Sequence, residues 1–322
     1  NLMTEDLWNL EIPAIDPPPK KRVNAIRRAI PPVPDTGWKF PTEFPDLSGA
    51  SAIALDIESH DPELSEKGPG PMRDGYILGV AIATPEGFKQ YFPLAHKQGP
   101  NCDKEKVFQW LSRELSRKGQ PKIGAHIIYD LEYLDYAGVK MEGPFYDVQN
   151  AEPLLDEHDF SYSLERIAQK HLKESKVTET LEHWIQTAYG GGSKWKVHIS
   201  KAPPELVGPY AEGDVDLPLK IFSKQEKILK EKRLWDLFVL ESDLIPLLLA
   251  MRRRGVRVDL DRAEQVSLQL TSGYEDALNR IKEMVGFHVD INAANSVAKA
   301  FDHCGLEYGR TAKTNAPSFT VP

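Results

Sequence analysis

The sequence holds 322 residues, 41% hydrophobic and 27% charged, with a formal net charge of −8. That balance is ordinary for a soluble globular chain and excludes disorder throughout; no apolar run reaches the ~18 residues of a membrane span, and residues 1–30 lack a signal-peptide core. Cys102 and Cys304 are the only cysteines, far apart and outside any CxxC pair, so neither a disulfide framework nor a zinc knuckle is indicated and a reducing, cytoplasmic setting is expected.

Residues 1–48 are proline-rich, with Pro17-Pro18-Pro19 and Pro31-Pro32, and read as an extended leader until Trp38 and Phe40 supply something to bury. Ala52 to Leu55 leads into Asp56-Ile57-Glu58 as a buried strand. Tyr76 to Ala83 and Lys89 to Leu94, parted by the turn signal Pro85-Glu86-Gly87, complete a three-stranded meander. Asp103 to Ser116 carries Val107, Phe108, Leu111 and Leu115 at helical spacing, and Lys122-Ile123-Gly124 returns as a strand. A helix is expected from Tyr129 or Asp130 to Ala137, a strand-to-helix transition over Phe145 to Leu155, and a helix over Ser163 to Leu172. Ala188 to Ser200, with Gly190-Gly191-Gly192, reads as a flexible loop. A long helix follows from Pro203 or Pro204 through Asp214, with a bend expected near Pro218. Beyond about residue 235 the pattern is helical, over Phe238 to Arg254 and Leu260 to Val285. This order predicts an α/β fold, a mixed central sheet flanked by helices with antiparallel strands at one edge, followed by a helical segment. The expected division is 1–48, 49–235 and 236–322.

Asp56 and Glu58 stand two apart on a strand, so their side chains leave the same face. Like charges about 4 Å apart repel by roughly 4 kcal/mol even at an effective dielectric near 20. A divalent cation removes that cost, and hard carboxylate oxygens suit Mg²⁺ or Mn²⁺; a strand end fraying into Ser59-His60-Asp61 would also accommodate the pair. Asp130, taken alone, reads as an N-cap or first-turn acid. Tyr210 and Asp214, at i and i+4, share a helix face, and alone read as a surface pair; Asp216 points elsewhere. Net negative charge runs against phosphate binding, but a metal site concentrates acids. The basic residues cluster at Lys20-Lys21-Arg22, Arg27-Arg28, Lys220 to Arg233 and Arg252-Arg253-Arg254, which permits DNA binding without arguing for it.

As an ordered set, these residues resemble the three exonuclease motifs of the DnaQ-like, or DEDDy, 3′–5′ exonucleases in the version fused to family A DNA polymerases, which have a ribonuclease H-like fold. Tyr162-Ser163-Leu164-Glu165 with His171-Leu172 is similar to the helix between the second and third motifs, and Trp38-Lys39-Phe40-Pro41 to leaders in phage members. Glu241 to Val258, with Met251, Gly255 and Asp259, looks like the helix that opens the polymerase thumb. Ile291-Asn292, Thr311-Ala312-Lys313-Thr314 and Ser318 are similar to the segment before the palm. The resemblance covers about residues 36–322.

The resemblance implies a catalytic set of Asp56, Glu58, Asp130, Tyr210 and Asp214, with two divalent cations, Mg²⁺ or Mn²⁺, held by Asp56, Glu58, Asp130 and Asp214. Asp56 would bridge the two, Glu58 and Asp214 would complete the site of the cation that activates water, and Asp130 would hold the other. Tyr210 would aim the attacking water. Substrate would be single-stranded DNA or a frayed primer 3′ end, contacted by Ser59 and by His126, which stands where the second motif usually carries Asn. The product would be a nucleoside 5′-monophosphate, in the cytoplasm of the cell or of a phage's host. No palm or fingers motif precedes Pro322, so this chain is not expected to synthesise DNA alone; the rest of a polymerase is the expected partner, and no membrane. A ribonuclease D-like RNA-trimming enzyme and an inactive nucleic-acid-binding module are the alternatives.

Overall fold

The computed structural model describes residues 29–319; the prolines at 17–19 and the basic groups at 20–22 and 27–28 lie outside the described residues. The central sheet holds β1 (Ile53–His60), β2 (Tyr76–Ala83), β3 (Lys89–Pro93), β4 (Lys122–Gly124) and β5 (Phe145–Asp147). Its order is β3-β2-β1-β4-β5, antiparallel across β1–β2–β3 and parallel across β1–β4–β5. This is the mixed sheet expected of a ribonuclease H-like fold. The β1–β2 register shifts between Glu58 and Ser59, and such irregularities re-aim side chains beside functional sites.

Helices cover both faces. Between the strands lie α1 (Leu64–Lys67), α2 (Lys104–Leu115), α3 (Ile127–Tyr136) and, directly after β5, α4 (Val148–Leu155). Then come α5 (Leu164–His171), α6 (Glu179–Tyr189), a 3-10 segment over Gly192–Lys201, α7 (Pro204–Glu231) and α8 (Trp235–Arg254). Alternation along β1 sends Leu55 and Ile57 into a core with Val107 and Leu111 of α2 and Leu131 of α3. Ala54 faces the opposite core, built with Trp184 and Ile185 of α6, Trp195 and Ile199 of the 3-10 segment, and Val207 and Tyr210 of α7. Asp56 and Glu58 share Ala54's face, so the fold aims them at α7.

Several elements differ from expectation for tertiary reasons. Helix α3 begins at Ile127 because Asp147, from β5, accepts the His126 and Ile127 amides at 3.1 and 2.9 Å, a cap that local sequence does not contain. The expected loop after residue 188 follows an unforeseen helix, α6, and is itself a 3-10 segment anchored by buried Trp195 and Ile199. Helix α7 runs through Pro209 and Pro218 to Glu231, because a buried face from Leu206 to Leu229 outweighs the two lost amides. A compact unit runs to Arg253, and α8 buries Phe238 and Ile245 in its cores.

The leader is extended but fixed. Residues 29–47 form no helix or strand, yet Trp184 Nε1 donates to the Pro31 carbonyl at 3.1 Å and Trp110 Nε1 to the Pro45 carbonyl at 2.8 Å. Trp38 Nε1 donates to Glu212 Oε1 of α7 at 2.8 Å. Its indole lies against Gly208, where an added Cβ would stand 2.3 Å from Nε1. Gly208→Ala therefore expels the indole from its packed site and breaks its bond to Glu212, which keeps the Tyr91 amide at 3.0 Å. The expected loss is about 1–3 kcal/mol of unfolding free energy, read by urea denaturation.

His96 supplies a pH-dependent term. Its Nδ1 lies 2.8 Å from the Ala202 carbonyl, which can only accept, so Nδ1 carries the proton and Nε2 accepts the Tyr91 hydroxyl at 2.7 Å. Burial pushes its pKa down from 6.5 to about 4. The unfolded chain therefore takes the proton first as pH falls. Stability is complete above 6.5 and declines toward pH 4 by about 3 kcal/mol from this group. Urea unfolding across that window is expected to show a steeper decline for the wild-type chain than for His96→Gln.

A second unit begins at Arg254. It contains α9 (Leu260–Val285), α10 (Ala294–Cys304) and the two-stranded ribbon of β6 (Gly309–Arg310) and β7 (Pro317–Ser318), around a small core of Val285, Val289 and Ala300. Among the described residues no helix is long and apolar enough to cross a membrane.

Candidate active site

The face of β1 that looks toward α7 ends in carboxylates. Asp56, Glu58 and Asp214 each offer an oxygen, and the three lie within 4.8 Å of one another. Glu58 and Asp214 are buried, and Asp56 is half-buried. Burial, then the neighbouring Asp214, raises Asp56 to about 7. Burial and the charges of Asp56 and Asp214 push Glu58 well above the usual carboxylate range. Asp56 and Glu58 resist ionising beside a third carboxylate, and such a site wants positive charge.

Asp130 stands beside this trio. It projects from the first turn of α3, and its Oδ1 accepts the Ile57 amide at 3.2 Å, locking it to the β1 backbone between the two acids. Burial and the Asp56 charge raise its pKa as well. Asp214 shows where charge is still missing: Oδ2 pairs with Lys176 Nζ at 2.5 Å, while Oδ1 is buried without a hydrogen-bond partner among the described residues. Convergent hard oxygens with one unpartnered lone-pair set fit a divalent cation of the Mg²⁺ or Mn²⁺ kind.

Tyr210 lies one turn before Asp214. Its hydroxyl accepts a hydrogen bond from Lys196 Nζ at 2.7 Å, and Trp195 packs edge-on at 6.1 Å between ring centres. Burial and the surrounding carboxylates hold its pKa well above 10, so the phenol keeps its proton.

A cavity of about 440 Å³ opens beside the acids, lined by Glu58, Ser59, His60, Tyr129, Lys194 and Lys196 among others. Ser59 Oγ shares a 2.7 Å hydrogen bond with the Tyr129 hydroxyl. His126 is exposed at the head of α3 in a left-handed conformation, φ 59° and ψ 39°. Asn and His are among the few non-glycine residues that tolerate that region, so the backbone here accommodates the histidine. Its ring centre lies 6.4 Å from that of Tyr129. Asp216 is turned away, paired with Lys220 at 2.9 Å.

The structure thus gathers Asp56, Glu58, Asp214 and Tyr210, sets Asp130 against β1, and places Ser59 on the adjoining cavity, with His126 near its Tyr129 wall. Sequence reasoning missed Lys176, Lys196 and Tyr129. The lysines follow no period, and only a charge balance over the acids points to them.

An acidic centre of this kind on a mixed five-stranded sheet defines a ribonuclease H-like exonuclease fold. A family profile described as 3′–5′ exonuclease, from the A-type DNA polymerases, matches residues 44–230, and the chain belongs to that family. The DNA-directed DNA polymerase of Pseudomonas phage M6 is 33% identical over 285 residues, covering 86% of this chain and 42% of the relative. DNA polymerase DpoZ of Salmonella phage PMBT28 is 27% identical over 263 residues, covering 80% of this chain and 40% of the relative. The chain therefore spans about two fifths of the length of these phage polymerases. Among solved structures, the POL domain of Pol1 from M. smegmatis, in complex with DNA primer-template and dNTP, is similar in fold. Its TM-score is 0.54 at 17% identity, covering 85% of this chain and 41% of that one.

Proposed function

We propose that the chain hydrolyses DNA from its 3′ end, releasing nucleoside 5′-monophosphates, as the proofreading part of a family A DNA polymerase. The observation that carries this reading is the convergence of Asp56, Glu58 and Asp214 within 4.8 Å. Asp56, Glu58, Asp130 and Asp214 would hold two divalent cations, Mg²⁺ or Mn²⁺, which when bound supply positive charge to the scissile phosphate and make a water acidic enough to attack.

The chain's own residues do the positioning. Tyr210 orients the attacking water through its hydroxyl; a phenol this reluctant to ionise does not serve as the base. The Ile57 amide keeps Asp130 aimed beside Asp56. Ser59, Tyr129 and His126 would contact the terminal nucleotide, with the two aromatic rings offering stacking faces. Carboxylates at this depth admit an unpaired end more readily than a duplex, which favours single-stranded DNA or a frayed primer. The remainder of the polymerase is the proposed partner. A stripe of apolar side chains along α8, with Leu240, Leu247 and Met251 at 57%, 55% and 60% exposure, offers it a face.

The test is degradation of 5′-labelled single-stranded DNA and RNA of one sequence, side by side, with Mg²⁺ or Mn²⁺. A ladder of shortened DNA is expected. A wide preference for RNA would replace this reading with an RNA-trimming enzyme, and no ladder at any metal concentration with a binding module.

A further inference from the structure

Two ammonium groups stand among the carboxylates, and neither belongs to the exonuclease motifs. Lys176 lies between α5 and α6, with its side chain 17% exposed and Nζ 2.5 Å from Asp214 Oδ2. Lys196 lies on the 3-10 segment, with Nζ 2.7 Å from the Tyr210 hydroxyl. Each nitrogen sits 5.2 Å from the centre of the Tyr210 ring, so both stand beside the residue that would aim the water. Both act on Asp56 and Glu58 through space as well.

We propose that Lys176 and Lys196 are resident counter-ions of the carboxylate cluster: they hold it together in the cation-free protein and leave it when divalent cations bind. This rests on the reading of the cluster as a cation site. An oxygen that accepts an ammonium proton has its charge balanced and its best lone pair engaged, so Lys176 and a cation compete for Asp214 Oδ2. The competition has an entry point, because Asp214 Oδ1 is buried and without a hydrogen-bond partner among the described residues. Oδ1 would hold a cation while Oδ2 still pairs with Lys176, so the two compete for one carboxylate. Lys196 already lines the cavity with Glu58 and Ser59, where its ammonium group would pair with a substrate phosphate instead. A lysine fills this role because its charge is a point on a flexible stem, whereas a guanidinium fork would hold the carboxylate in two places.

The test compares the whole chain with Lys176→Met and Lys196→Met, reading Mn²⁺ affinity by calorimetry and thermal unfolding with and without Mn²⁺. Lys176→Met is expected to melt lower than wild type without metal. It is also expected to bind Mn²⁺ about tenfold more tightly, the factor that ~1.4 kcal/mol of removed competition gives, so its Mn²⁺-induced rise in Tm exceeds that of wild type. Lys176→Arg is expected to keep the metal-free stability and to bind Mn²⁺ no tighter than wild type. Amine acetylation of the wild-type chain, followed by mass spectrometry, supplies an independent measurement: Lys176 should become more reactive when Mn²⁺ is added. Equal or weaker Mn²⁺ binding by Lys176→Met, with both melting temperatures lowered alike, reduces the lysine to a structural ion pair and overturns the inference. Should that variant not fold, unchanged Lys176 acetylation and unchanged affinity of Lys196→Met overturn it equally. A wild-type chain that binds no Mn²⁺ overturns the cation-site reading and this inference together.

Discussion

Asp56→Ala is expected to abolish shortening of a 5′-labelled oligonucleotide, whereas Asp216→Ala leaves it nearly unchanged. Asp56 supplies one of the three oxygens that converge within 4.8 Å, and burial has already set it apart from an ordinary surface acid. Removing one such group takes away about 4 kcal/mol or more of transition-state stabilisation, roughly a thousandfold in rate. Asp216 sits two residues past Asp214 on α7 but is engaged with Lys220 and Lys89 at 2.9 and 3.9 Å on a one-third-exposed surface, where a pair contributes at most ~1 kcal/mol to stability. Inactivation and unfolding are separable by pH. The Asp56 carboxyl is raised toward 7 in the folded chain, so the folded state holds a proton that the unfolded state has lost. Metal-free stability therefore falls as pH rises from the ordinary carboxylate range toward 7, and Asp56→Ala is expected to melt higher than wild type at pH 8 and to lose that advantage near pH 4. Equal loss of activity in both variants would mean that the helix face has been misassigned.

The parts of this site that the sequence displays are those whose spacing is itself a physical statement. Asp56 and Glu58 are visible because period-two alternation puts two like charges on one face of an otherwise apolar strand. Tyr210 and Asp214 share a helix face at i and i+4, a spacing that alone reads as a surface pair, and the resemblance to the exonuclease motifs is what singles them out. The meander was equally legible, since β2 and β3 are apolar runs bounded by turn residues. What stayed hidden depends on partners distant in the chain. Asp147 caps α3 from twenty residues away; no propensity at Ile127 announces it. Pro218 reads as a bend, and the helix continues past it on a buried face of Ile221, Phe222 and Leu229. The glycines at 190–192 concealed the buried Trp195 and Ile199 that follow them. Lys176 reaches Asp214 across the chain by an ion pair that has no period at all. Fold class follows from periodicity, then, while the electrostatic completion of the site follows only from three-dimensional charge balance.

Tyr210→Phe is expected to slow nucleotide release by roughly a hundredfold or more, the loss typical when one group that aims a reactant is removed, while leaving Mn²⁺ affinity unchanged. The substitution deletes one oxygen and little else. The ring keeps its edge-on packing with Trp195 at 6.1 Å and its closeness to the two lysine nitrogens, each 5.2 Å from its centre. The oxygens of Asp56, Glu58 and Asp214 that converge are all carboxylate oxygens, so the cation shell would retain all its carboxylates. What disappears is the bond from Lys196 and, with it, the hydroxyl that would hold the attacking water in line. Because the phenol's pKa lies well above 10, the wild-type rate should show no falling or rising limb from Tyr210 between pH 7 and 9. A rate loss in Tyr210→Phe that is constant across that range is therefore the signature of lost orientation. A loss that grows with pH would assign the phenol a proton-transfer role, and a drop in Mn²⁺ affinity would move its hydroxyl into the cation shell; either result removes Tyr210 from the water-aiming role.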